Sequence, residues 1–457
     1  MAELSADEAR SLVRALVELS QMAVRALPST SSSLAQRLQA HLGLGDDDAV
    51  PNTSMSLPLI ERANVQLALD AYAATADRFE VVGLAADIGH HSGVSLAGLM
   101  VGSWYGPGEV PPQYIELEVG VGMTVPCLRA GIILTEHDGA PVAAMVSSRE
   151  HFPPEMTIEV VATTRRAADG FLHRLRTLID EHNSFRGKLI SFSYGVHGEF
   201  GITFSSVPSV SREHVVLRDG DLDAIEAHAI GISDRATELR AAGQHVKRGL
   251  LLYGPPGTGK THTISYLLGA MPGRTTIILS GAAVGAVGQA STIARQLQPA
   301  TIVIEDVDLI GMDRGLPGAE HSPILFQLLN EMDGLADDAD VLFILTTNRV
   351  DMLEPALAAR PGRVDQAIET VLPDERARRR LIELYAGAMP AGAEGDALVE
   401  RTESVAPAFI KELARRATLT GLSDGRTPAE CLGVALDEML HQSAPVLRRT
   451  LGASGTS

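Results

Sequence analysis

Cysteine, lysine and aromatic residues are scarce in this 457-residue chain, and each scarcity limits the protein classes to consider. The two cysteines, Cys127 and Cys431, are too few and too far apart for a disulfide framework or a zinc site, which favours a reducing compartment. The formal net charge is -19, and only four of the 38 basic residues are lysines, an arginine excess typical of GC-rich bacterial genomes. Because nucleic-acid binders cluster Lys and Arg against phosphates, and this chain has no basic tract, we expect no nucleic-acid partner.

Long apolar runs are also missing. The longest, such as "VSLAGLMVG" at 94–102, fall well short of the roughly 20 residues that span a bilayer. The first residues carry acids rather than the basic start of a signal peptide, so we expect a cytoplasmic protein without a membrane span. The length allows two or three domains, and 45% hydrophobic with 21% charged residues is typical of a globular protein.

Residues 1–50 are predicted to form a helical arm. Apolar side chains recur at helical spacing over 5–27, behind a capping box of Ser5 and Glu8, and a second short helical stretch runs to about Leu42. The intervening "PSTSSS" is a flexible joint. The arm is interpreted as a packing or docking helix, with oligomer formation or partner binding as the alternative.

Residues 51–210 are predicted to form a separate α/β or α+β domain that binds a substrate or an adaptor. The segment "GIILTEHDGAPVAAMV" alternates around Asp138 and Gly139, which predicts a hairpin. A strand and a helix follow in "MTIEVVATT" and "AADGFLHRLRTLIDEH", then two further strands in "KLISFSY" and "GITFSSV". Adjacent His90 and His91 point apart on a strand and are not expected to bind metal.

The segment "GLLLYGPPGTGKT" has the pattern of a buried strand, a glycine-rich loop and a helix start. Its glycines let backbone N–H groups surround phosphate oxygens, Lys260 reaches the β- and γ-phosphates, and the Thr261 hydroxyl is placed on Mg²⁺. The residues predicted to bind the nucleotide are Gly254, Pro255, Pro256, Gly257, Thr258, Gly259, Lys260 and Thr261.

Two adjacent acids, Glu305 and Asp306, follow the buried strand "TIVI" at the sheet edge where α/β proteins bind ligands. Position assigns metal support to Glu305 and water activation to Asp306, although such sites usually place Asp before Glu. A misplacement by roughly a bond length can cost on the order of a hundredfold in rate unless the backbone or a bridging water compensates. We therefore predict altered geometry rather than absent chemistry.

Polar residues after the next strand complete the predicted site. Asn348 ends "DVLFILTTN" and is suited to bind the γ-phosphate or the attacking water. Arg360 and Arg363 of "ARPGR" lie too far beyond that strand to be assumed part of their own subunit's site. Guanidinium groups stabilise charge on a transferring phosphoryl group, with a solvated basic turn as the alternative reading.

Over roughly residues 210–445 the chain resembles the AAA family of ATPases. The resemblance rests on "GPPGTGKT", "IVIEDVD", "QLLNEMDGL", "TTNRVDMLEPAL", "RPGRVDQAIE" and "LPDERARRRLIELY", in that order. It implies a P-loop α/β core over 211–371, a helical lid over 372–450 and a flexible tail over 451–457. It also implies ATP and Mg²⁺ as cofactors and a homo-oligomer, usually a hexameric ring, in which Arg360 and Arg363 act on the neighbouring subunit's nucleotide.

This chain departs from the family pattern in several places. The Glu–Asp order resembles that of the mitochondrial AAA translocases that assemble respiratory complexes. The segment before Arg360 is one residue longer than usual, and Ala406 and Pro407 occupy positions where the lid commonly has Ser-Gly. The pore loop is expected within "LSGAAVGAVGQAS" at 279–291, which has no aromatic residue, so Val284 and Val287 would offer only a weaker apolar grip.

Two functions remain open from the sequence. The first is a hexameric ATPase that remodels a protein partner recruited by the amino-terminal domain. The second is a switch or scaffold that ATP binding assembles and hydrolysis disassembles, without translocation of a substrate. An ATP-dependent protease is not expected, because the sequence contains no HExxH motif.

Overall fold

The computed structural model describes residues 33–45, 50–84, 95–100, 109–149, 155–194, 200–307, 323–349 and 364–451. The chain divides into two compact units, Met1–Ser184 and Phe185–Ser457. The predicted helix at 5–27, the histidine pair, and Arg360 and Arg363 lie outside the described residues. Within the described residues, no helix combines the length and the apolar character required to cross a membrane.

The amino-terminal unit is built on a six-stranded sheet in the order β1-β8-β7-β6-β2-β3, with every neighbouring pair antiparallel. A two-stranded hairpin, β4-β5, accompanies it. The strands are β1 (Asn52–Pro58), β2 (Phe79–Leu84), β3 (Glu109–Val110), β4 (Tyr114–Gly120), β5 (Met123–Leu128), β6 (Gly131–His137), β7 (Ala140–Arg149) and β8 (Glu155–Ala162). The helices are α1 (Ser33–Leu42), α2 (Arg62–Ala73), α3 (Leu96–Met100) and α4 (Arg165–Glu181), with a 3-10 turn at Leu59–Glu61.

Both faces of this sheet are covered, because successive side chains of a strand point to opposite faces. Ile133 of β6 packs into a core with α2 and α4. Its neighbours Ile132 and Leu134 pack into a second core with α1 and α3. The amino-terminal unit is therefore an α+β domain with helices on both sides of an antiparallel sheet.

The predicted hairpin at Asp138 and Gly139 is confirmed. Strands β6 and β7 pair antiparallel up to His137 opposite Ala140. Asp138 has φ 51° and Gly139 has φ 75°, the two positive values that a tight two-residue turn requires.

The second unit contains a seven-stranded sheet in the order β10-β9-β12-β13-β14-β11-β15. The strands are β9 (Leu189–Tyr194), β10 (Phe200–Ser205), β11 (Arg248–Tyr253), β12 (Thr275–Leu279), β13 (Ala300–Ile304), β14 (Val341–Thr347) and β15 (Gln366–Glu369). All pairs are parallel except β9 with β10. The carboxyl ends of the central parallel strands therefore lie along one edge of the sheet.

Helices flank and follow this sheet. In the large subdomain they are α5 (Asp221–Glu226), α6 (Ile232–Asp234), α7 (Ala236–Ala241), α8 (Lys260–Ala270), α9 (Val287–Gln296) and α10 (Pro323–Asp333). A π-turn lies at Ala227–Gly231, and 3-10 turns lie at Arg212–His214 and Gly281–Ala286. The carboxyl-terminal helices are α11 (Glu375–Ala386), α12 (Ala393–Arg401), α13 (Pro407–Asp424) and α14 (Pro428–Leu451).

The four carboxyl-terminal helices share a core of their own. Leu381, Leu398, Leu413 and Leu432, one from each helix, are buried in it. This arrangement agrees with the α/β core and helical lid expected from the sequence.

Strands β9 and β10 differ from the prediction in their location. The sequence placed them in the amino-terminal domain, but β9 pairs in parallel with β12 in the sheet of the second unit. The division of the chain after Ser184 accordingly lies before these strands, whereas the predicted domain boundary follows residue 210. Their side-chain pattern identifies them as strands but does not identify the sheet they join.

Candidate nucleotide site

The phosphate loop begins where β11 ends and closes against β15. Gly254 has φ 141°, and a Cβ at this position would lie 2.3 Å from the Thr370 carbonyl oxygen. The Thr370 N–H donates to the Tyr253 carbonyl at 2.7 Å. Because no side chain fits between these backbones, the turn into the loop requires glycine.

The loop leads directly into the amino terminus of α8. Gly257 and Gly259 have φ 77° and 104°, and Gly259 is the residue that caps the helix. The first N–H groups of a helix have no partner within the helix and carry a partial positive charge. This loop and helix start therefore form a cradle suited to an anion.

Lys260 and Thr258 hold the loop from within. The buried Lys260 ammonium donates to the carbonyl oxygens of Gly254 at 2.7 Å and Pro255 at 2.9 Å. The Thr258 hydroxyl donates to the Pro255 carbonyl at 2.8 Å and lies 2.7 Å from the Thr370 hydroxyl. Lys260 thus bridges the start of the loop, and Thr258 ties the loop to Thr370 after β15.

The two acids after β13 have different surroundings. Glu305 is half-buried, and burial raises the pKa of its carboxyl, as does the charge of Asp306, while a hydrogen bond with Thr261 opposes the rise. The Asp306 carboxylate instead accepts a hydrogen bond from the Asn348 amide at 3.2 Å. Glu305 therefore lies beside the hydroxyl at the start of α8, and Asp306 lies beside the polar end of β14.

The lid reaches the loop at α13. The Ala408 N–H donates to the Gly257 carbonyl at 3.1 Å. A Cβ on Gly257 would lie 3.1 Å from the Ala408 Cβ and 3.4 Å from the Ala406 Cβ. The Ala-Pro sequence that replaces Ser-Gly thus leaves the lid in direct contact with the phosphate loop.

A cavity of about 360 Å³ lies between the loop, the lid and a preceding segment. The sequence predicted the loop residues, Asp306 and Asn348, and pointed to Pro407 of the lid, but missed ten other residues that line it. They are His214, Val215, Val216, Leu217, His262, Thr263, Leu381, Tyr385, Ala408 and Lys411.

No sequence motif marks these missed residues, but several of them have defined contacts in the structure. Val216 and Tyr385 pack against the lid core. His262 Nε2 lies 3.2 Å from the His214 carbonyl, and burial lowers the pKa of His262, which favours its neutral form. The Lys411 ammonium nitrogen lies 5.9 Å from the centre of the Tyr385 ring. The apolar lining suits a flat base, and the lysine places a cation on the lid side of the cavity.

The predicted apolar grip of the pore segment is wrong. Val284 and Val287 are 1% and 0% exposed, because they pack inward from the turn at Gly281–Ala286 and the start of α9. The exposed residues of this stretch include Gly281, Ala282 and Gly285. Small residues therefore form much of the surface that the sequence assigned to Val284 and Val287.

The residues of the site fit a nucleoside triphosphate with Mg²⁺. The glycine cradle, the helix amino terminus and Lys260 provide donors and positive charge for phosphate oxygens. The Thr261 hydroxyl and the carboxylates of Glu305 and Asp306 provide the oxygen ligands, direct or through water, that Mg²⁺ prefers. The fold and the site define this unit as a P-loop nucleotide-binding domain with a helical lid.

Comparison with known proteins identifies the family of the nucleotide-binding region. Residues 250–372 match the model of the "ATPase family associated with various cellular activities (AAA)". The chain therefore contains an AAA ATPase domain, and members of this family use ATP with Mg²⁺.

Similar curated proteins include three ATP-dependent zinc metalloproteases. FtsH 2 of Sphaerobacter thermophilus is 35% identical over 225 residues, which cover 46% of this chain and 34% of that protein. FtsH of Corynebacterium glutamicum is 32% identical over 280 residues, which cover 56% of this chain and 33% of that protein. FtsH of Mycobacterium tuberculosis is 36% identical over 221 residues, which cover 45% of this chain and 29% of that protein. The chain spans about a third of the length of these relatives.

Proposed function

We propose that this protein hydrolyses ATP in the site formed by the phosphate loop, the acids after β13 and Asn348. One observation carries the proposal. At the carboxyl ends of the parallel strands of one sheet, three separate segments bring together five side chains, those of Lys260, Thr261, Glu305, Asp306 and Asn348. Phosphoryl transfer depends chiefly on positioning and electrostatic stabilisation, and this arrangement offers both.

The proposed roles follow from what each side chain contacts. Bound Mg²⁺ would neutralise charge on the phosphate oxygens. Thr261 and Glu305, which contact each other, would hold the metal side of the site. Asp306 would orient the attacking water and accept its proton, and Asn348 would keep the Asp306 carboxylate in place and bind the water or the γ-phosphate. Lys260 would balance the charge of the β- and γ-phosphates.

We further propose that copies of the chain form a ring, usually a hexamer in this family, and remodel a protein partner bound by the amino-terminal unit. Arg360 and Arg363 would then reach the nucleotide of the neighbouring copy. The family match supports the ring, since AAA proteins are usually oligomeric. The zinc-protease activity in the relatives' names is not part of this proposal, because the matched family region is the ATPase domain and this sequence contains no HExxH motif.

A second function, an ATP-driven assembly switch or scaffold, is favoured by the pore segment. The inward packing of Val284 and Val287 leaves Gly281, Ala282 and Gly285 exposed, and these residues offer little side-chain surface to grip a polypeptide. Under this alternative, ATP binding assembles the ring and hydrolysis disassembles it.

The decisive measurement is steady-state phosphate release together with ATP binding, for the unmodified protein and three variants. We expect Lys260→Ala to lose ATP affinity, and Asp306→Asn and Glu305→Gln to bind ATP but turn it over slowly, Asp306→Asn most slowly. Absence of ATP turnover in the unmodified protein under all oligomeric conditions would refute the activity. Near-normal turnover in Asp306→Asn with loss in Glu305→Gln would refute the assignment of roles.

The same Asp306→Asn variant separates the two functions. Loaded with ATP, it would retain a protein substrate, which mass spectrometry of co-purified protein would identify, with Lys260→Ala as the control that cannot load. If no protein is retained but native mass spectrometry shows a ring only with ATP, the assembly switch is the better description.

A further inference from the structure

The hydrogen bonds of β13 change partner at the acid pair. The ladder with β14 ends at Ile304 opposite Leu345. The next amide, that of Glu305, donates to the Leu279 carbonyl of β12 at 3.0 Å. The Asp306 amide then donates to a side chain, the Thr346 hydroxyl, at 2.9 Å. Beyond the ladder, β14 therefore holds Asp306 through a threonine hydroxyl.

Asp306 adopts a backbone conformation that few residues tolerate. Its φ is 51°, in the left-handed region, which Asp and Asn enter more readily than other residues with a side chain. Such a conformation persists where the surroundings determine it. The Thr346 hydroxyl is the group that accepts the amide hydrogen of this turned residue.

The end of β14 contacts Asp306 at two points, its backbone and its side chain. Thr346 and Asn348 are two positions apart, and both contact Asp306: Thr346 at its amide and Asn348 at its carboxylate, 3.2 Å away. A residue anchored at both its backbone and its side chain has little freedom to rotate. The end of β14 thus sets both the turn and the aim of the Asp306 carboxylate.

We propose that Thr346 is the positioning residue for Asp306 in the hydrolysis of ATP. Its hydroxyl fixes the left-handed turn, and that turn directs the short aspartate carboxylate to the place that a longer glutamate reaches in sites with the usual Asp–Glu order. The proposal rests on the proposed role of Asp306 as the residue that activates water. Under this proposal the backbone conformation of Asp306 makes up for the shorter side chain that the exchanged order of the acids puts at this position.

The competing explanation is purely structural. Thr346 is 2% exposed, and a buried hydroxyl that accepts a backbone N–H stabilises a fold wherever it occurs. The two explanations differ in kinetics. A structural role changes stability, whereas a positioning role lowers kcat, leaves ATP affinity intact and disappears when Asp306 can no longer act.

Thr346→Val removes the hydroxyl and keeps the shape, Thr346→Ser keeps the hydroxyl, and Thr276→Val is a matched control. Thr276 is buried near the amino end of β12, which β13 separates from β14, and lies away from the site at the carboxyl ends of the strands. We expect Thr346→Val to lower kcat by about tenfold to a hundredfold, the cost of a misplacement of roughly 1 Å. The KM for ATP stays within about twofold, Thr346→Ser recovers most of the rate, and Thr276→Val has the kcat of the unmodified protein.

A double variant tests whether Thr346 acts through Asp306. If it does, Thr346→Val reduces turnover little further in an Asp306→Asn background, whereas independent effects would multiply. Multiplied effects, or an unchanged kcat in folded Thr346→Val, would overturn the proposal.

A crystal structure of Thr346→Val provides a readout that does not depend on activity. We expect the φ of Asp306 to leave the left-handed region and the contact with Asn348 to be lost. Retention of both would overturn the proposal even in a protein with measurable turnover. Lack of turnover in the unmodified protein would instead refute the proposed function, and the structural result would still decide whether Thr346 sets the conformation of Asp306.

Discussion

The Ala408 amide in the first turn of lid helix α13 donates a hydrogen bond to the carbonyl of Gly257 in the phosphate loop, at 3.1 Å. This bond joins the lid to the element that surrounds the phosphates. We therefore expect a change in the loop on nucleotide binding to reach α13, and through the shared lid core the other three helices. Substitutions at this contact therefore measure how tightly nucleotide binding and lid position are coupled.

The first prediction concerns Gly257→Ala. The new Cβ would lie 3.1 Å from the Ala408 Cβ, and φ 77° is costly for alanine by about 1–2 kcal/mol. We expect ATP affinity, measured by calorimetry, to fall by about tenfold or more, because both effects oppose the closed arrangement of loop and lid. The control is Gly285→Ala, since that position has open space around it and lies outside the cavity. Equal affinities for the two variants would contradict this account.

The second prediction concerns Lys411. This lysine lines the cavity from the lid and lies beside Tyr385. Removal of its charge by Lys411→Met should weaken ATP binding by several-fold, about 1 kcal/mol, and weaken ADP binding less, because ADP carries less negative charge. Arg415→Met is the control: Arg415 is the next cation along α13 on that side, and it pairs with Glu412 at 2.7 Å. The idea fails if both lid variants bind ATP as the unmodified protein does.

The chemistry of the site was predictable from the sequence because it depends on residue types at fixed short spacings. Lys260 follows a glycine loop, the acid pair follows a buried strand, and Asn348 follows the next. The lid cation Lys411 was not predictable, since its place in the cavity depends on how α13 packs against a loop some 150 residues earlier in the sequence.

Conformation and pairing account for the remaining differences. The left-handed turn of Asp306 has no signature in the letters "IEDVD", because it depends on a threonine in another strand. The strands β9 and β10 were recognisable as strands, but β12, the strand that joins β9 to the second sheet, follows about 80 residues later. Val284 and Val287 were read as exposed, although turn and helix geometry buries both. A contact distant in sequence decided the first two outcomes, and local turn and helix geometry decided the third.

The third prediction concerns the amino ends of the strands, opposite the nucleotide site. There the buried Asp340 carboxylate accepts hydrogen bonds from Arg248 at 3.1 Å and Arg274 at 3.0 Å. Burial, followed by the charge of Arg274, lowers the pKa of Arg248 to about 10. Asp340→Asn leaves two buried cations without a counter-charge, so we expect a loss of about 3–5 kcal/mol in the free energy of unfolding.

Asp337→Asn is the matched control for that measurement. Asp337 is 85% exposed at its side chain and pairs with Lys247 at 3.3 Å, so its removal should cost less than about 1 kcal/mol. Urea denaturation of both variants separates the two cases. A stability loss in Asp340→Asn no larger than in Asp337→Asn would show that the buried cluster contributes little.

The fourth prediction tests whether copies of the chain complete one another's sites. An Arg363→Ala subunit retains Asp306, and an Asp306→Asn subunit retains Arg363, so each variant alone should hydrolyse ATP slowly. If the arginine acts on the neighbouring copy, random mixing leaves about a quarter of the interfaces with both groups intact, and turnover should recover in part. Mixing Arg363→Ala with an Arg363→Ala/Asp306→Asn double variant is the control, because it supplies no arginine. Co-purification through two different tags establishes that mixed assemblies form, and mixed assemblies without recovered turnover would place the action of Arg363 within its own subunit or outside catalysis.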